Sequence, residues 1–208
     1  MNGAYICIDL KSYYASVECV ARGLDPLKAN LLVADPSRSD QTICLAVSPA
    51  LKAIGVPSRP RLFEAKQAIR LYEAQHHTKI SYITAVPRMA EYERISSKIY
   101  DVYQKYVSPE DILVYSIDEC FIDCSRYLEA YAKEAEESGL EPAHVMAVTI
   151  IRKRLMVPEQ IPVTVFIQLR NPDSVRIRRG FFRDNIHGDL GQIEVCADSD
   201  SRGDSGSP

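Results

Sequence analysis

No run of 18 or more apolar residues occurs in this 208-residue chain, so the sequence offers no candidate membrane-spanning helix. Its start, Met1-Asn2-Gly3-Ala4-Tyr5, has no basic segment ahead of an apolar one and runs straight into a strand-like stretch, which argues against a secretory signal. The six cysteines (Cys7, Cys19, Cys44, Cys120, Cys124 and Cys196) form no Cys-x-x-Cys pair, and several lie within apolar runs. That excludes a zinc ribbon or a disulfide framework and reads as reduced core thiols in a cytoplasmic protein. The four histidines, His76, His77, His144 and His187, have no ligand-like spacing, and no internal repeat is visible. An excess of positive charge is also lacking: 25 Lys and Arg stand against 28 Asp and Glu. The net charge is −3, which suits a DNA-gripping protein poorly, because Lys and Arg supply most backbone affinity.

What is present supports a folded domain. The apolar fraction of 46% is enough for a core, and the length fits one large domain or one domain with an insertion. Residues 5–10 read as a strand leading into a helix over 12–22, with Ser12 as its N-cap and Gly23 at its end. Two short strands, 30–35 and 41–48, flank a loop at 36–40. A short helix over 49–54 has Pro49 in its first turn and Gly55 past its end. A helix over 65–74 and a strand over 79–85 follow. The longest helical pattern covers 87–106, where Tyr92, Ile95, Ile99, Val102, Tyr103 and Tyr106 recur at helical spacing and predict a core face. A hairpin of 111–116 and 120–124, helices over 128–137 and 143–155, and a last strand over 161–167 complete the reading. Beyond about residue 198 the composition predicts disorder.

The chemistry-bearing feature is the hairpin Val114-Tyr115-Ser116-Ile117-Asp118-Glu119-Cys120-Phe121-Ile122-Asp123. It sets two adjacent carboxylates at a tight bend between β-prone runs. A third acid, Asp9, ends the first strand. Either feature alone is compatible with a solvated turn or a helix cap. Three carboxylates on neighbouring strand ends, however, form a hard oxygen site suited to Mg²⁺. Two such ions roughly 3.5–4 Å apart can drive an in-line phosphoryl transfer. A sheet carrying acids, covered by helices on one face and interrupted by an inserted lobe, is an α+β palm.

The stretch Ile8-Asp9-Leu10-Lys11-Ser12-Tyr13-Tyr14-Ala15-Ser16-Val17-Glu18 resembles the N-terminal motif of the Y-family, UmuC/DinB-like translesion DNA polymerases. Tyr115 to Glu119 with Phe121-Ile122-Asp123 resembles that family's second carboxylate motif. Between them, 46–56 and 59–65 look like its fingers segments. Lys11, where many relatives have a second Asp, is most similar to the UvrX-like bacterial and phage branch. The resemblance implies a ferredoxin-like antiparallel palm at 1–24 and 79–165, with small fingers at 25–78. It covers about residues 4–165 and then stops. All nine lysines lie at or before Lys153, so composition changes near the same place. Residues 166–208 therefore read as a divergent, partly disordered tail standing where a thumb and little finger are missing, as in a truncated gene product.

The resemblance also implies site roles. Asp9, Asp118 and Glu119 are the catalytic acids holding two Mg²⁺ ions, with the Leu10 carbonyl as a further ligand. Tyr14 is the steric gate that rejects a 2′-hydroxyl, and Tyr13 is packing or backing for the triphosphate. Lys52 and Ser48 reach the triphosphate, Arg59 and Arg61 contact template or nucleotide, and Glu18 supports the site from behind. The implied partners are primer–template DNA and dNTPs, with a sliding clamp or other SOS proteins beyond them and no membrane. Two functions stay open: translesion DNA synthesis in DNA repair, weak or absent in a truncated form, or a non-catalytic palm and fingers remnant that binds Mg–dNTP or a replication partner. Nucleotide cyclases also place two metals on such sheets, but the Tyr13-Tyr14-Ala15-Ser16-Val17-Glu18 helix is foreign to them.

Overall fold

The computed structural model describes residues 3–154, 161–171, 174–181 and 194–196. Strand β1 (Gly3–Leu10) buries Ala4, Ile6, Ile8 and Leu10 on one face and leaves Tyr5, Cys7 and Asp9 half-buried on the other. This period-2 alternation decides which way Asp9 faces. Helix α1 (Tyr13–Val20) follows at once. The chain then builds β2 (Leu31–Val33), β3 (Ala46–Val47), α2 (Pro49–Ala53), α3 (Leu62–His76) and β4 (Ile83–Ala85). Helix α4 (Met89–Tyr103) leads back to the hairpin of β5 (Ile112–Val114) and β6 (Glu119–Asp123). After α5 (Ala132–Ser138) and α6 (Pro142–Arg154) come β7 (Val163–Asn171), β8 (Ser174–Phe181) and β9 (Glu194–Cys196).

The larger sheet has the order β5-β6-β1-β7-β8-β9, antiparallel throughout. Its first four strands, joined by α4 and α6, have the split β-α-β-β-α-β topology of a ferredoxin-like sheet. Helices α4 and α6 cover one face. The stripe of Tyr92, Ile95, Ile99 and Tyr103 and the α6 residues Met146, Ala147, Ile150 and Ile151 pack with Ile6, Ile8 and Ile122 in one core. Each fully buried Ile or Leu side chain there contributes about 1.5–3 kcal/mol.

In the smaller sheet, of order β3-β2-β4, the central strand β2 is buried on both faces, which explains why Leu31-Leu32-Val33-Ala34 is an unbroken apolar run. Leu31 and Val33 join the main core, while Leu32 and Ala34 meet Leu51, Leu62 and Ile69 of α2 and α3. The inserted residues are thus anchored to α1 through one face of this sheet.

Several elements differ from the sequence reading. Helix α3 starts at Leu62 rather than near 65, because the Glu64 carboxylate accepts the Arg61 N–H at 2.6 Å and caps the first turn. Only Ala46–Val47 of the expected 41–48 strand pairs as a strand; the preceding residues make a single bridge, Ile43 to Arg61. The expected helix over 128–137 divides into a 3-10 turn at Leu128–Tyr131 and α5, which ends at Gly139 with φ 68°. Nor does the sheet stop at residue 167. Strand β7 runs to Asn171, and β8 and β9 add two further strands. The disorder expected beyond residue 198 lies outside the described residues.

Candidate active site

The hairpin register brings the acids together. Asp9 stands directly opposite Glu119 across β1 and β6. The Leu10 N–H donates to the Asp118 carbonyl at 2.8 Å, fixing the second acid beside the end of β1. The Tyr115 and Ser116 N–H groups both donate to the Glu119 carbonyl, closing the bend. Burial pushes the Asp9 pKa up, and the nearby Asp118 and Glu119 carboxylates push it further, with Lys52 and Lys11 opposing. Desolvated like charges of this kind are relieved by a cation.

Two of the three carboxylates are engaged locally. Asp118 accepts from the Ser116 hydroxyl at 2.7 Å, and Glu119 accepts from the Cys7 thiol at 3.6 Å. Among the described residues, no group of three His, Cys, Asp or Glu side chains stands ready to hold a metal ion. The donor set nevertheless fits Mg²⁺: it is all oxygen, anionic and mutually repulsive. Cys7 and Ser116 are the site neighbours that sequence reasoning missed. The strand alternation that makes Asp9 and Cys7 share a face was the signal for Cys7.

The turn after Asp9 is unusual. Ser12 has left-handed backbone, φ 48°, ψ 46°, which costs a non-glycine residue about 1 kcal/mol or more. Its hydroxyl does not cap α1, contrary to the sequence expectation; it accepts from Lys52 Nζ at 2.9 Å. The Lys11 N–H donates to the Pro162 carbonyl at 2.9 Å, and the Ser16 hydroxyl donates to the Lys11 carbonyl at 2.7 Å. Lys52, from α2, is thereby held against the loop that carries Asp9.

Ser48 does not join it. Ser48 is fully buried, and its hydroxyl accepts the Leu31 N–H at 3.0 Å, tying α2 to β2 rather than facing a ligand. Tyr13 likewise points into the core, with its hydroxyl donating to the Tyr92 carbonyl at 2.6 Å. Tyr13, expected as packing or as backing for the triphosphate, and Ser48, expected at the triphosphate, both spend their hydroxyls on backbone groups inside the fold. The apolar environment of α1 and β2 leaves a buried hydroxyl no better option than a backbone partner. Arg61 donates to the Gln41 carbonyl at 2.9 Å and is tied to the start of α3.

Tyr14 is placed differently. Its ring stacks on Tyr92 at 4.5 Å and 16°. Burial raises its hydroxyl pKa, Asp118 adds to this, and Arg59 opposes it. Behind it, the fully buried Glu18 accepts from the Tyr92 hydroxyl at 2.9 Å and from Arg88 Nε at 2.9 Å, and pairs with Arg22. Burial alone would raise the Glu18 pKa, but the bonds from Arg88, Arg22 and Tyr92 outweigh it and hold the carboxyl below its usual range.

The impB/mucB/samB family matches residues 8–170, most of the chain and all of this site. The chain belongs to that family. Among curated proteins, this family member is 34% identical over 122 residues to a putative UV-damage repair protein, UvrX, of Bacillus subtilis (strain 168), covering 58% of this chain and 27% of that one. It is 35% identical over 114 residues to the DNA repair protein homolog YozK of the same organism, covering 54% of this chain and 90% of that one. Among solved structures it resembles a chimeric Y-family DNA polymerase built from Dbh and Dpo4, with a TM-score of 0.61 at 23% identity over 79% of this chain and 42% of that one. An insertion ternary complex of Dbh DNA polymerase gives 0.60 at 22%, again over 79% and 42%. The chain therefore has the fold of Y-family DNA polymerases and carries a translesion-polymerase-like domain. It spans about a quarter of UvrX and less than half of the solved polymerases.

Proposed function

We propose that this chain catalyses template-directed transfer of deoxynucleotides to a primer, including opposite damaged bases. The observation that supports this best is the opposition of Asp9 and Glu119 in register, with Asp118 tied to Leu10 beside them. Asp9, Asp118 and Glu119, with the Leu10 carbonyl, would hold two Mg²⁺ ions. The chemistry that bound Mg²⁺ would supply there is a more acidic primer 3′-hydroxyl and charge neutralisation at the leaving pyrophosphate. Tyr14, braced by Tyr92, limits the space at the sugar. Lys52 faces the phosphates. Residues 1–24 and 79–165 act as the palm, although β4 pairs within the smaller sheet, and 25–78 act as the fingers. Activity is weak, because a chain of net charge −3 attracts a phosphate backbone poorly.

The second reading is a palm and fingers piece that binds Mg–dNTP without turning it over. It is favoured by the engagement of Asp118 and Glu119 with Ser116 and Cys7, which leaves no converged ligand set among the described residues. Calorimetric titration with dATP, with and without Mg²⁺, tests the metal assignment that both readings share. Mg²⁺-dependent binding that Asp118→Ala abolishes is expected; binding unchanged by that substitution would sink the metal assignment.

A further inference from the structure

Two peptide planes meet at the Asp118 Cα, and both are held from outside the hairpin. The Asp118 carbonyl, in the plane that follows, accepts the Leu10 N–H of β1 at 2.8 Å. The Ile117 carbonyl, in the plane that precedes, accepts the Ser96 hydroxyl at 2.6 Å. Ser96 lies on α4, twenty-one residues earlier in the chain. A peptide unit is planar and stiff, so restraining the units on both sides of one Cα restrains the direction of its Cα–Cβ bond. A serine within a helix can return its hydroxyl to its own backbone, as the adjacent Ser97 does to the Glu93 carbonyl at 3.0 Å. Ser96 instead directs its hydroxyl across to the acid-bearing bend. Packing alone does not fix that bend. A cleft of about 290 Å³, solvent included, opens between α4 and the hairpin and is lined by Ser96, Tyr100, Tyr103, Val114, Ile117 and Asp118.

We propose that Ser96 is a positioning residue: by holding the peptide between Ile117 and Asp118, it aims the Asp118 carboxylate at the cation that Asp118 shares with Asp9. This rests on the polymerase reading for the role of Asp118 and extends that site to a residue of α4. Ser96 touches neither nucleotide nor cation and acts only through the Ile117 backbone. Without its hydroxyl, the plane that precedes Asp118 loses its restraint from the helix layer, and the cleft beside it leaves room for the bend to turn. Groups that orient a metal ligand in this way act on metal affinity more than on the fold.

The test is calorimetric titration of the full chain with dATP over a series of Mg²⁺ concentrations. Ser96→Ala should raise the Mg²⁺ concentration for half-maximal binding about tenfold, the low end of the range for groups that orient metal ligands. Ser96→Thr, which keeps the hydroxyl, should stay near the unmodified chain. Ser97→Ala, and Ile95→Val on the buried face of the same helix, should leave the Mg²⁺ requirement unchanged, which separates aim from stability. Far-UV spectra confirm that each variant is folded. An unchanged Mg²⁺ requirement in Ser96→Ala, or an equal rise in folded Ile95→Val, would overturn the proposal. Asp118→Ala in the same titration separates the two claims. Retained Mg²⁺-dependent binding there, or none by the unmodified chain, removes the polymerase reading and the positioning role with it. Loss of binding in Asp118→Ala beside an unaffected Ser96→Ala removes only the positioning role.

Discussion

Replacing Glu18 with glutamine keeps the side-chain shape and removes one buried charge. In the folded chain this carboxylate takes three side-chain partners, Arg88, Arg22 and Tyr92, and is itself inaccessible to water. A hydrogen bond to a charged group is worth about 1.5–3 kcal/mol, and removing one partner of a buried ion pair costs about 3–5 kcal/mol. The cost here is smaller. Arg88 and Arg22 have side chains 45% and 36% exposed and can recover water, and glutamine keeps one acceptor oxygen. The Tyr92 hydroxyl has no such escape, since that residue is fully buried. The expected loss is about 2 kcal/mol, which for a chain of this size lowers Tm by about 4–8 °C. Urea unfolding at pH 7, followed by far-UV circular dichroism, should show a lower midpoint at unchanged slope. Because the folded-state pKa of Glu18 lies below the ordinary 4.5, its contribution is complete above that value and fades as pH falls through the depressed one. The gap between the two proteins should therefore close in acid. A loss under about 0.5 kcal/mol at pH 7, or a gap that widens in acid, would refute the reasoning, since either would mean the network adds nothing beyond exposed ion pairs.

Asp9→Asn should raise Tm at neutral pH, because the raised pKa of Asp9 marks a carboxylate whose charged form the fold disfavours; the gain should vanish below the ordinary 3.8, where both states are protonated. A stability gain that persists in acid would assign the effect elsewhere. Ser12→Gly should relieve the left-handed strain and stabilise the chain by about 0.5–1 kcal/mol, while weakening nucleotide binding through loss of the Lys52 contact; thermal melts and a dATP titration read the two effects separately. Tyr14→Ala should narrow the preference for dATP over ATP in competitive binding, and an unchanged preference would remove it as the gate. Ile6→Ala, at a fully buried position of the central strand, should cost about 2–5 kcal/mol in urea unfolding.

The central sheet and the placement of its acids were legible because their signals are local. Alternation along residues 4–10 sets the Asp9 face, and the tight bend at 115–118 sets Asp118 and Glu119 at the strand end. The helical stripe from Tyr92 to Tyr103 was legible for the same reason. The hydroxyl partners of Ser48 and Tyr13 were not legible, because a motif position carries no information about depth. Whether a hydroxyl meets a ligand or a backbone group depends on what packs over it, and here that is β2 and Tyr92. The Ser12 to Lys52 contact joins residues forty apart in sequence and needs a left-handed turn at a serine, which propensity disfavours. Strands β8 and β9 lie where motif and composition both break, and only the pairing of β8 onto β7 and of β9 onto β8 identifies them.

Primer extension by the chain and its Asp118→Ala variant, across an undamaged template and one carrying an abasic site, with Mg²⁺ and the four dNTPs, tests nucleotidyl transfer at these acids most directly. Slow extension on both templates, eliminated in the variant, is the predicted result. Extension that survives Asp118→Ala, or none by the unmodified chain at any enzyme concentration, would contradict the claim that Asp9, Asp118 and Glu119 form a working nucleotidyl-transfer site.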